Sequence, residues 1–321
     1  MAKRKTVSIV VPIYYEESLI DQLIKRFMSV INELEKNYDY ELIFVNDGST
    51  DESLTLLKKH QLIHKGIQIV DLSRNFGHQL AITAGIDYAK GDAVVVIDGD
   101  LQDPPEVILE MIKVWEQGAH VAYGVRNKRK GETFFKLITA KIFYRTLSWF
   151  SETDMPVDAG DFRLLDRRVV DQLKAIPERN RYIRGLVNWI GFKQVPISYS
   201  RDKRFAGTTK YSLRKMVRFA ADGITGFSDK PLYIAGYFGA IFGILSMFFV
   251  LKVIWGYVSG DEFVSGWAST ITVICFLGSI QLAMLSILGQ YVGRIYSEAR
   301  QRPLYIVKDY YVSKVKADIR H

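Results

Sequence analysis

The sequence predicts an α/β domain with a mostly parallel sheet, followed by an interfacial amphipathic helix and a hairpin of two transmembrane helices. Three observations support this prediction. Short apolar runs alternate with helical stretches through the first 126 of the 321 residues. A basic amphipathic stretch then precedes two long apolar stretches without charge. The chain is long enough for a domain of about 200 to 250 residues and a membrane segment.

The first 126 residues alternate between strand and helix patterns. The predicted strands are VSIVVPIY, YELIFVND, IQIVDLS, AVVVIDGD and HVAYGVR. The predicted helices between them lie near residues 17–36, 51–63, 78–90 and 105–117. Because a helix that connects two neighbouring strands makes those strands parallel, the alternation predicts βαβ units and a mostly parallel sheet.

Four of the predicted strands end in polar or charged residues. These are Tyr14 with Glu16, Asn46 with Asp47, Asp71 with Arg74, and Asp98 with Asp100. The carboxyl ends of parallel strands meet at one edge of a sheet, where ligands of open α/β folds bind. The sequence contains neither the glycine pattern of dinucleotide sites nor that of P-loops. We therefore expect a nucleotide crevice that handles phosphate charge by other means.

Asp98 and Asp100 follow a short valine-rich run at residues 93–97. Side chains two residues apart in an extended segment point the same way. Two carboxylates that face one space suit Mg²⁺ or Mn²⁺, which completes its shell with water and substrate phosphates. A polar turn that merely closes the strand would explain the same pair. On these residues alone, both interpretations stay open.

Two uncharged apolar stretches, residues 232–251 and 267–293, have the length of transmembrane helices. About 20 helical residues cross the roughly 30 Å hydrocarbon core of a membrane. The loop sequence SGDEFVSG between them has two acidic residues and no basic one, whereas residues 201–230 hold eight Lys or Arg and residues 294–321 hold seven. The positive-inside rule therefore places both flanks in the cytoplasm.

The basic stretch before the first apolar segment has an apolar stripe with helical spacing. The stripe consists of Leu213, Met216, Val217, Ala220, Ile224 and Phe227, and three basic residues lie off it, Arg214, Lys215 and Arg218. Beside a transmembrane segment, this pattern favours an interfacial helix over an ordinary globular one. Much of the net charge of +8 lies here. Anionic lipid headgroups explain that charge better than nucleic acid does.

Other features agree with a membrane protein whose soluble part is cytoplasmic. The one cysteine, Cys275, lies in the second apolar stretch, so the chain cannot form an internal disulfide or a cysteine-based zinc site. The N-terminal residues pass from a basic tip directly into a strand pattern, so we expect no signal peptide. Small residues in the first stretch, Gly236, Gly239, Ala240 and Gly243, would let helices of a homo-oligomer pack closely.

Six motifs occur in order along residues 6–230: SIVVPIYYEES, IFVNDGSTDES, LSRNFGHQLAITAGIDYAKGD, VVVIDGDLQDPPE, GDFRLLDR and RFAGTTKYSLRKM. Together they resemble the family 2 glycosyltransferases with a GT-A fold. The resemblance is to the polyprenyl-phosphate branch, which includes bactoprenol glucosyltransferases and dolichyl-phosphate mannose synthases. Each motif alone is weak, but six in this order are specific. The paired apolar stretches are similar to the bactoprenol group.

The resemblance implies a site for a nucleotide sugar and a divalent metal, Mg²⁺ or Mn²⁺. Residues at four positions would hold the base and ribose: Pro12, Tyr14, Glu16 and Asp47. Asp98, Gly99 and Asp100 match the DXD metal motif of the family. Gln102 matches a glutamine near the metal and diphosphate, although it would also suit a turn cap.

The family also has a carboxylate in the stretch matched by DAGDFRLLDR, where we expect Asp161 to be the catalytic residue and Asp158 the alternative. The acceptor would be a lipid phosphate monoester, and most of it is already a dianion at pH 7 because its second pKa is near 6. Asp161 could therefore be either a base or a positioning residue. The candidates for holding the acceptor phosphate are Arg126, Arg129, Arg163, Arg201 and Lys210.

The predicted activity is inverting transfer of a hexose, with glucose from UDP-glucose and undecaprenyl phosphate favoured, at a bacterial inner membrane. The predicted regions are a cytoplasmic catalytic domain at 1–207, a juxtamembrane helix at 208–230, two transmembrane helices within 231–293 and a cytoplasmic tail at 294–321. Transfer from GDP-mannose is one alternative. A polysaccharide synthase is another, but the sequence lacks the family's Gln-x-x-Arg-Trp stretch. A membrane scaffold with a degenerate domain is a non-enzymatic alternative, which the intact aspartate pair disfavours.

Overall fold

The computed structural model describes residues 4–126, 159–179, 181–201, 230–259 and 266–312. These residues fall into two compact units. The first unit contains the described residues up to 201 and residues 302–312, and the second contains residues 230–259 and 266–301. The chain therefore leaves the first unit and later returns to it.

The first unit is built on an eight-stranded sheet with the order β7-β5-β6-β4-β1-β2-β3-β8. Its strands are β1 (Thr6–Ile13), β2 (Asp39–Asn46), β3 (Ile67–Leu72), β4 (Ala93–Val96), β5 (Val121–Arg126), β6 (Ala159–Asp166), β7 (Gln194–Tyr199) and β8 (Val307–Val312). The central strands β4, β1, β2 and β3 are parallel, whereas β6 and β8 run antiparallel to their neighbours. The predicted α/β sheet is confirmed, and it is a mixed sheet in which four of the seven neighbouring strand pairs are parallel.

Six helices accompany this sheet in the described residues: α1 (Ile20–Leu34), α2 (Ser53–Ile63), α3 (His78–Tyr88), α4 (Val107–Glu116), α5 (Arg167–Ala175) and α6 (Ile183–Ile190). The four predicted helices correspond to α1–α4. Their ends agree with the prediction within three residues, because apolar spacing and the flanking turn residues are local signals.

The core lies on both faces of the central strands. The side chains of β1 from Val7 to Ile13 are all buried, as expected for a parallel strand covered on both sides. One face of α1 is buried, with Phe27 fully enclosed. On α3, a Cβ added to Gly85 would lie 2.1 Å from a methyl carbon of Val10. A glycine at this position therefore lets α3 lie directly against β1.

The strand order reverses at β1, which pairs with β2 on one side and with β4 on the other. Ligands of open α/β sheets bind outside the carboxyl ends of the strands at such a reversal. Here the residues that follow β1 and β4 are Tyr14 and the Asp98–Asp100 pair. The topology thus places two predicted parts of the site next to each other.

The strand β8 differs from the prediction. Residues 294–321 were expected to form a tail, whereas Val307–Val312 pairs antiparallel with β3 at the edge of the sheet. Two tyrosines attach this segment further: the Tyr305 hydroxyl donates to Asp87 (2.8 Å), and the Tyr310 ring lies 4.6 Å from that of Tyr88. Four of the six β8 residues are exposed, so the strand lacks the clear apolar alternation that would reveal it.

The second unit contains two long helices, α7 (Lys230–Ser259) and α8 (Trp267–Ala299). They cover both predicted apolar stretches. Among the described residues, one segment, Phe276–Ala299, is long and apolar enough to cross a membrane, and Gly236–Leu245 is a shorter apolar stretch. The two helices are observed, and the predicted hairpin of two transmembrane spans, including the span at residues 232–251, stays a prediction. The predicted interfacial helix lies outside the described residues.

Candidate active site

The antiparallel strand β6 brings Asp161 opposite Asp98. In the β4–β6 register, Ala93 pairs with Asp166 and Val96 pairs with Arg163. Continuing this register two residues beyond the end of β4 aligns Asp98 with Asp161. Two carboxylates that are 63 residues apart in the sequence therefore meet at the carboxyl edge of the central strands.

Asp161 is almost fully buried, with 5% of its side chain exposed. Arg184, at the start of α6, binds it in a bidentate manner: Nε donates to Oδ1 (2.7 Å) and Nη2 donates to Oδ2 (2.9 Å). Gln79 Nε2 donates to Oδ2 (3.2 Å), and His78 Nε2 lies 3.3 Å from the same oxygen. Asp161 is thus a carboxylate whose two oxygens are already engaged by three side chains.

His78 lies between the two opposing carboxylates, because its Nε2 is also 3.4 Å from Asp98 Oδ1. Burial lowers the pKa of His78, but the hydrogen bond with Asp161 and the charge of Asp98 outweigh burial and raise that pKa to about 9. Burial also opposes ionisation of Asp161, yet His78 and Arg184 hold its pKa well below the usual range. Asp161 is therefore ionised at neutral pH.

Asp98 has the opposite electrostatic character. Burial, followed by the nearby carboxylates of Asp161, Asp103 and Asp100, raises its pKa to about 6 against the opposing effect of His78. Its Oδ1 is buried and has no hydrogen-bond partner among the described residues. The cation that faces this oxygen is His78, 3.4 Å away, so the oxygen keeps the capacity to accept a further positive ligand.

The loop after Asp98 is a tight turn. The backbone N–H of Gln102 donates to Asp100 Oδ1 (3.1 Å), and Leu101 adopts a positive φ of 55°. A Cβ on Gly99 would lie 2.7 Å from Ile13 Cδ1 and 3.1 Å from the carbonyl oxygen of Pro12. Glycine at this position lets the turn lie against the end of β1. Gln102 is buried, at 7% exposure, and its backbone helps to close the turn.

In the part of the chain that the structure describes, no three His, Cys, Asp or Glu side chains are grouped so as to hold a metal ion. A Mg²⁺-type site does not require three, because one or two carboxylates plus water and substrate phosphates complete its shell. Asp98 Oδ1, which has no hydrogen bond among the described residues, and the nearby Asp100 fit such a site.

Three segments at the carboxyl ends of β1, β2 and β3 form what we call the nucleotide side. They are residues 12–17, 46–53 and 71–77. Tyr14 and Tyr15 are both exposed, with ring centroids 4.4 Å apart. Asp47 is buried and accepts hydrogen bonds from Phe76 N (2.7 Å), Gly77 N (3.0 Å) and Asn75 Nδ2 (3.0 Å). In this structure Asp47 therefore holds the loop that precedes α3.

We call the other charged part of the site the transfer side. It consists of Asp98, Asp100, Asp103, Asp161, Arg126, Arg163, Arg184 and Arg201. Two predicted phosphate ligands, Arg126 and Arg201, come together around the buried Asp103. Arg163 is 3% exposed and donates to the carbonyl oxygen of Gly160 (2.9 Å), so its side chain is enclosed by the protein. The other predicted site residues, Asp158, Arg129 and Lys210, lie outside the described residues.

Residues 8–174 match the family described as Glycosyl transferase family 2. The chain belongs to this family. A relative from Bacillus subtilis (strain 168), named uncharacterized glycosyltransferase YkcC, is 52% identical over 97% of this chain and 96% of its own length. The prophage bactoprenol glucosyl transferase homolog of Escherichia coli (strain K12) is 36% identical over 94% and 98%. Among solved structures, mannosyl-3-phosphoglycerate synthase from Rubrobacter xylanophilus is 16% identical, with a TM-score of 0.47 over 68% of this chain and 71% of that one.

Within this glycosyltransferase site, sequence reasoning missed five side chains: His78, Gln79, Asp103, Arg184 and Tyr199. His78 and Gln79 lie within a quoted motif, and Asp103 directly follows Gln102, so their positions offered a signal. Arg184 offered none, because its contact with Asp161 depends on how α6 lies against β6. The metal role predicted for Asp98 and Asp100 and the role predicted for Asp161 stay predictions.

Proposed function

We propose that this glycosyltransferase moves glucose from UDP-glucose to a polyprenyl phosphate, such as undecaprenyl phosphate, at the cytoplasmic face of a bacterial inner membrane. The relatives named bactoprenol glucosyl transferase, which align along nearly the whole chain, support the lipid acceptor and the sugar. The observation that carries the proposal is the state of Asp161.

Asp161 is poorly suited to remove a proton, because Arg184 binds both of its oxygens and keeps it ionised with a low pKa. A sugar hydroxyl acceptor needs a base to become a nucleophile. A phosphate monoester, with a second pKa near 6, is mostly a dianion at pH 7 and needs none. A transferase site whose buried carboxylate is a fixed anion therefore fits a phosphate acceptor, and Asp161 acts as a positioning residue.

The reaction is then a direct displacement at the anomeric carbon. A phosphate oxygen of the acceptor forms a bond to that carbon from the face opposite the nucleotide, and the bond to the β-phosphate oxygen of UDP breaks with its electron pair. The product is a β-linked glucosyl phosphate lipid from an α-linked donor, together with UDP. Attack from the opposite face accounts for the predicted inversion.

Charge on the departing diphosphate must be neutralised. Asp98 and Asp100, with Gln102 adjacent, would hold Mg²⁺ or Mn²⁺, which when bound offsets that charge. The buried oxygen of Asp98 that lacks a hydrogen-bond partner supports this assignment. On the nucleotide side, the exposed ring of Tyr14 is suited to stack on the base, with Pro12 and Glu16 beside it and Asp47 fixing the adjacent loop.

The acceptor phosphate is anionic and needs cationic hydrogen-bond donors. Arg126 and Arg201 are the best-supported candidates, because both are partly accessible and lie together at the ends of neighbouring strands. Arg129 and Lys210 stay predictions. Arg163 is the weakest candidate because its guanidinium is buried.

The sheet also constrains how the chain crosses a membrane. Because β8 pairs with β3, residues 307–312 lie on the same side of any membrane as residues 4–126. The chain between residues 201 and 302 must therefore cross an even number of times. If Phe276–Ala299 is one span, an odd number of crossings precedes it. The helix α7 has 30 residues, about 45 Å, which is long enough to supply one.

The activity is tested with full-length protein in nanodiscs, UDP-glucose, undecaprenyl phosphate and Mn²⁺. We expect glucosyl phosphate lipid and UDP to form, and we expect Asp100→Ala to reduce turnover to about one per cent or less. Asp21→Ala, which changes an exposed aspartate on α1, is the matched control and should retain activity. Both variants should unfold at the wild-type temperature.

Other outcomes identify the alternatives. Transfer to a sugar hydroxyl but not to the lipid phosphate would indicate a polysaccharide synthase. A requirement for GDP-mannose would indicate a mannose synthase. The absence of any nucleotide-sugar binding in calorimetry would indicate a scaffold. A folded Asp100→Ala protein with near wild-type turnover would contradict the metal assignment.

The topology is tested with single-cysteine proteins in which Cys275 is replaced by serine. A cysteine at position 265, between α7 and α8, should react with an impermeant reagent outside intact cells, whereas one at position 313 should react only after lysis. Protection of position 265 would contradict the two-span arrangement.

A further inference from the structure

Asp103 is a buried carboxylate shared by three side chains, and the catalytic scheme above does not use it. None of its side chain is exposed. Its Oδ1 accepts hydrogen bonds from the Tyr199 hydroxyl (2.7 Å) and from Arg201 Nε (3.0 Å). Its Oδ2 lies 3.6 Å from Arg126 Nη2 and has no hydrogen bond in the described residues. One carboxylate thus lies between two arginines and offsets part of their positive charge.

The contacts of Asp103 connect parts of the site that are far apart in the sequence. Asp103 lies three residues after Asp100, at the end of the turn that carries the proposed metal ligands. Arg126 is the last residue of β5, and it pairs across the ladder with Tyr199, the last residue of β7. Arg201 follows two residues later. Asp103 therefore joins the Asp98–Asp100 turn to the ends of both strands that supply the candidate phosphate ligands.

Electrostatics explains why the arginines need this carboxylate. Two guanidinium groups repel each other, and in a partly buried site they approach closely only around an anion. The side chain of Arg126 is 34% exposed and that of Arg201 is 19% exposed, while Asp103 is enclosed. Each arginine therefore keeps part of its surface accessible while it contacts a buried carboxylate. Gly160 leaves room for this arrangement, since a Cβ there would lie 2.9 Å from Arg126 Nη2.

We propose that Asp103 is a positioning residue that holds Arg126 and Arg201 as a pair for the acceptor phosphate and fixes that pair relative to the Asp98–Asp100 turn. This inference rests on the proposed function, because it assumes a phosphate acceptor. Asp103 itself does not touch substrate. It sets the distance between the cations that hold the nucleophile and the carboxylates that hold the leaving group.

The test is Asp103→Asn in the full-length protein in nanodiscs, since asparagine keeps the shape and removes the charge. We expect the KM for undecaprenyl phosphate to rise about tenfold or more, as for the loss of a charge-assisted contact. The affinity for UDP in the presence of Mn²⁺, measured by calorimetry, should stay unchanged. A merely structural role would lower the unfolding temperature and impair both substrates equally.

Two further variants keep the proposal falsifiable. Tyr199→Phe removes one hydrogen bond to Asp103 from a buried residue that does not reach substrate, so a smaller rise in the same KM is expected even if Asp103→Asn fails to fold. Asp87→Asn is the matched control, because Asp87 also accepts a tyrosine hydroxyl, that of Tyr305 (2.8 Å), at the far end of α3. It should leave both substrate constants unchanged.

The outcomes separate the two proposals. If the wild-type protein does not use a lipid phosphate, the proposed function fails. If the wild-type protein uses it and Asp103→Asn and Tyr199→Phe both leave the acceptor KM unchanged, the positioning role of Asp103 fails while the function stands. Weakened UDP–Mn²⁺ binding with an unchanged acceptor KM would assign Asp103 to the donor turn alone and would also overturn the proposal.

Discussion

The nucleotide side and the transfer side of the site are held together by different kinds of contact. On the nucleotide side, Asp47 accepts from two backbone N–H groups and one amide, and Asn46 Nδ2 donates to Asp71 (2.7 Å). On the transfer side, arginines pair with the buried carboxylates of Asp161 and Asp103. Uncharged donors that bind a carboxylate fix backbone geometry at one side, and paired charges fix side chains at the other.

This difference has an energetic consequence. Losing one hydrogen bond between an uncharged donor and a carboxylate costs about 1.5 to 3 kcal/mol, whereas removing one partner of a buried ion pair costs about 3 to 5 kcal/mol because it leaves an unpaired charge. The transfer side is therefore the more sensitive of the two. Its charges are also already arranged before substrate binds, which suits a reaction between anions.

The largest effect is expected for Arg184→Gln, which breaks the bidentate contact with Asp161. Because Asp161 stays almost buried, we expect a loss of about 3 kcal/mol in the free energy of unfolding and a fall in kcat of more than about tenfold. Urea unfolding and steady-state kinetics measure the two effects. Arg184→Lys keeps the charge without the planar fork, so its stability and kcat should lie between those of the wild type and of Arg184→Gln.

The control for this prediction is Arg168→Gln. Arg168 also binds a carboxylate through Nε, that of Asp166 (2.8 Å), but 66% of its side chain is exposed. Exposed ion pairs contribute little, so no measurable loss of activity is expected. Equal losses in the Arg168 and Arg184 variants would mean that burial does not distinguish the transfer side.

A smaller effect, confined to the nucleotide side, is expected for Gly48→Ala. Gly48 has a φ of 67°, and an added Cβ would lie 2.3 Å from the carbonyl carbon of Arg74, in the loop that Asp47 holds. We expect a loss of about 2 kcal/mol in stability from strain and backbone displacement. The dissociation constant for UDP should rise while the KM for the lipid phosphate stays the same.

Gly118→Ala separates strain from crowding. Gly118 also has a positive φ, 90°, but nothing lies within 4 Å of an added Cβ. Alanine at this position should cost about 1 kcal/mol through backbone strain alone. If Gly48→Ala costs no more than Gly118→Ala, the close approach to Arg74 is unimportant.

The two sides also differ in how far the sequence predicts them. Tyr14, Asp47 and Asp98 were placed correctly at strand ends because valine-rich runs and their polar ends are local signals. The contact between Asp161 and Arg184 could not be predicted, because it depends on the antiparallel register of β4 with β6 and on the position of α6. The resemblance to the family pointed to Asp161, but it did not reveal that Arg184 holds the Asp161 side chain in place.

The edge strand β8 shows the same limit away from the site. Its pairing with β3 joins residues that are more than 230 positions apart, and no pattern in VKDYYV specifies the partner. The two long helices α7 and α8 were located from apolar composition. Composition alone does not distinguish two spans from one, and the pairing of β8 with β3 supplies the parity that favours two.

The smallest effect is expected for Tyr305→Phe, which removes the hydrogen bond between the segment before β8 and Asp87 on α3. Because this bond holds the returning chain on the sheet unit, we expect a loss of about 1 kcal/mol in unfolding free energy and faster hydrogen exchange in β8, with unchanged kinetics. Tyr311→Phe is the control. The Tyr311 hydroxyl donates only to Asp309, two residues away on the same exposed strand (3.1 Å), so neither stability nor exchange should change. Equal exchange rates in the two variants would mean that the ladder with β3, without the Tyr305 contact, is sufficient to hold β8.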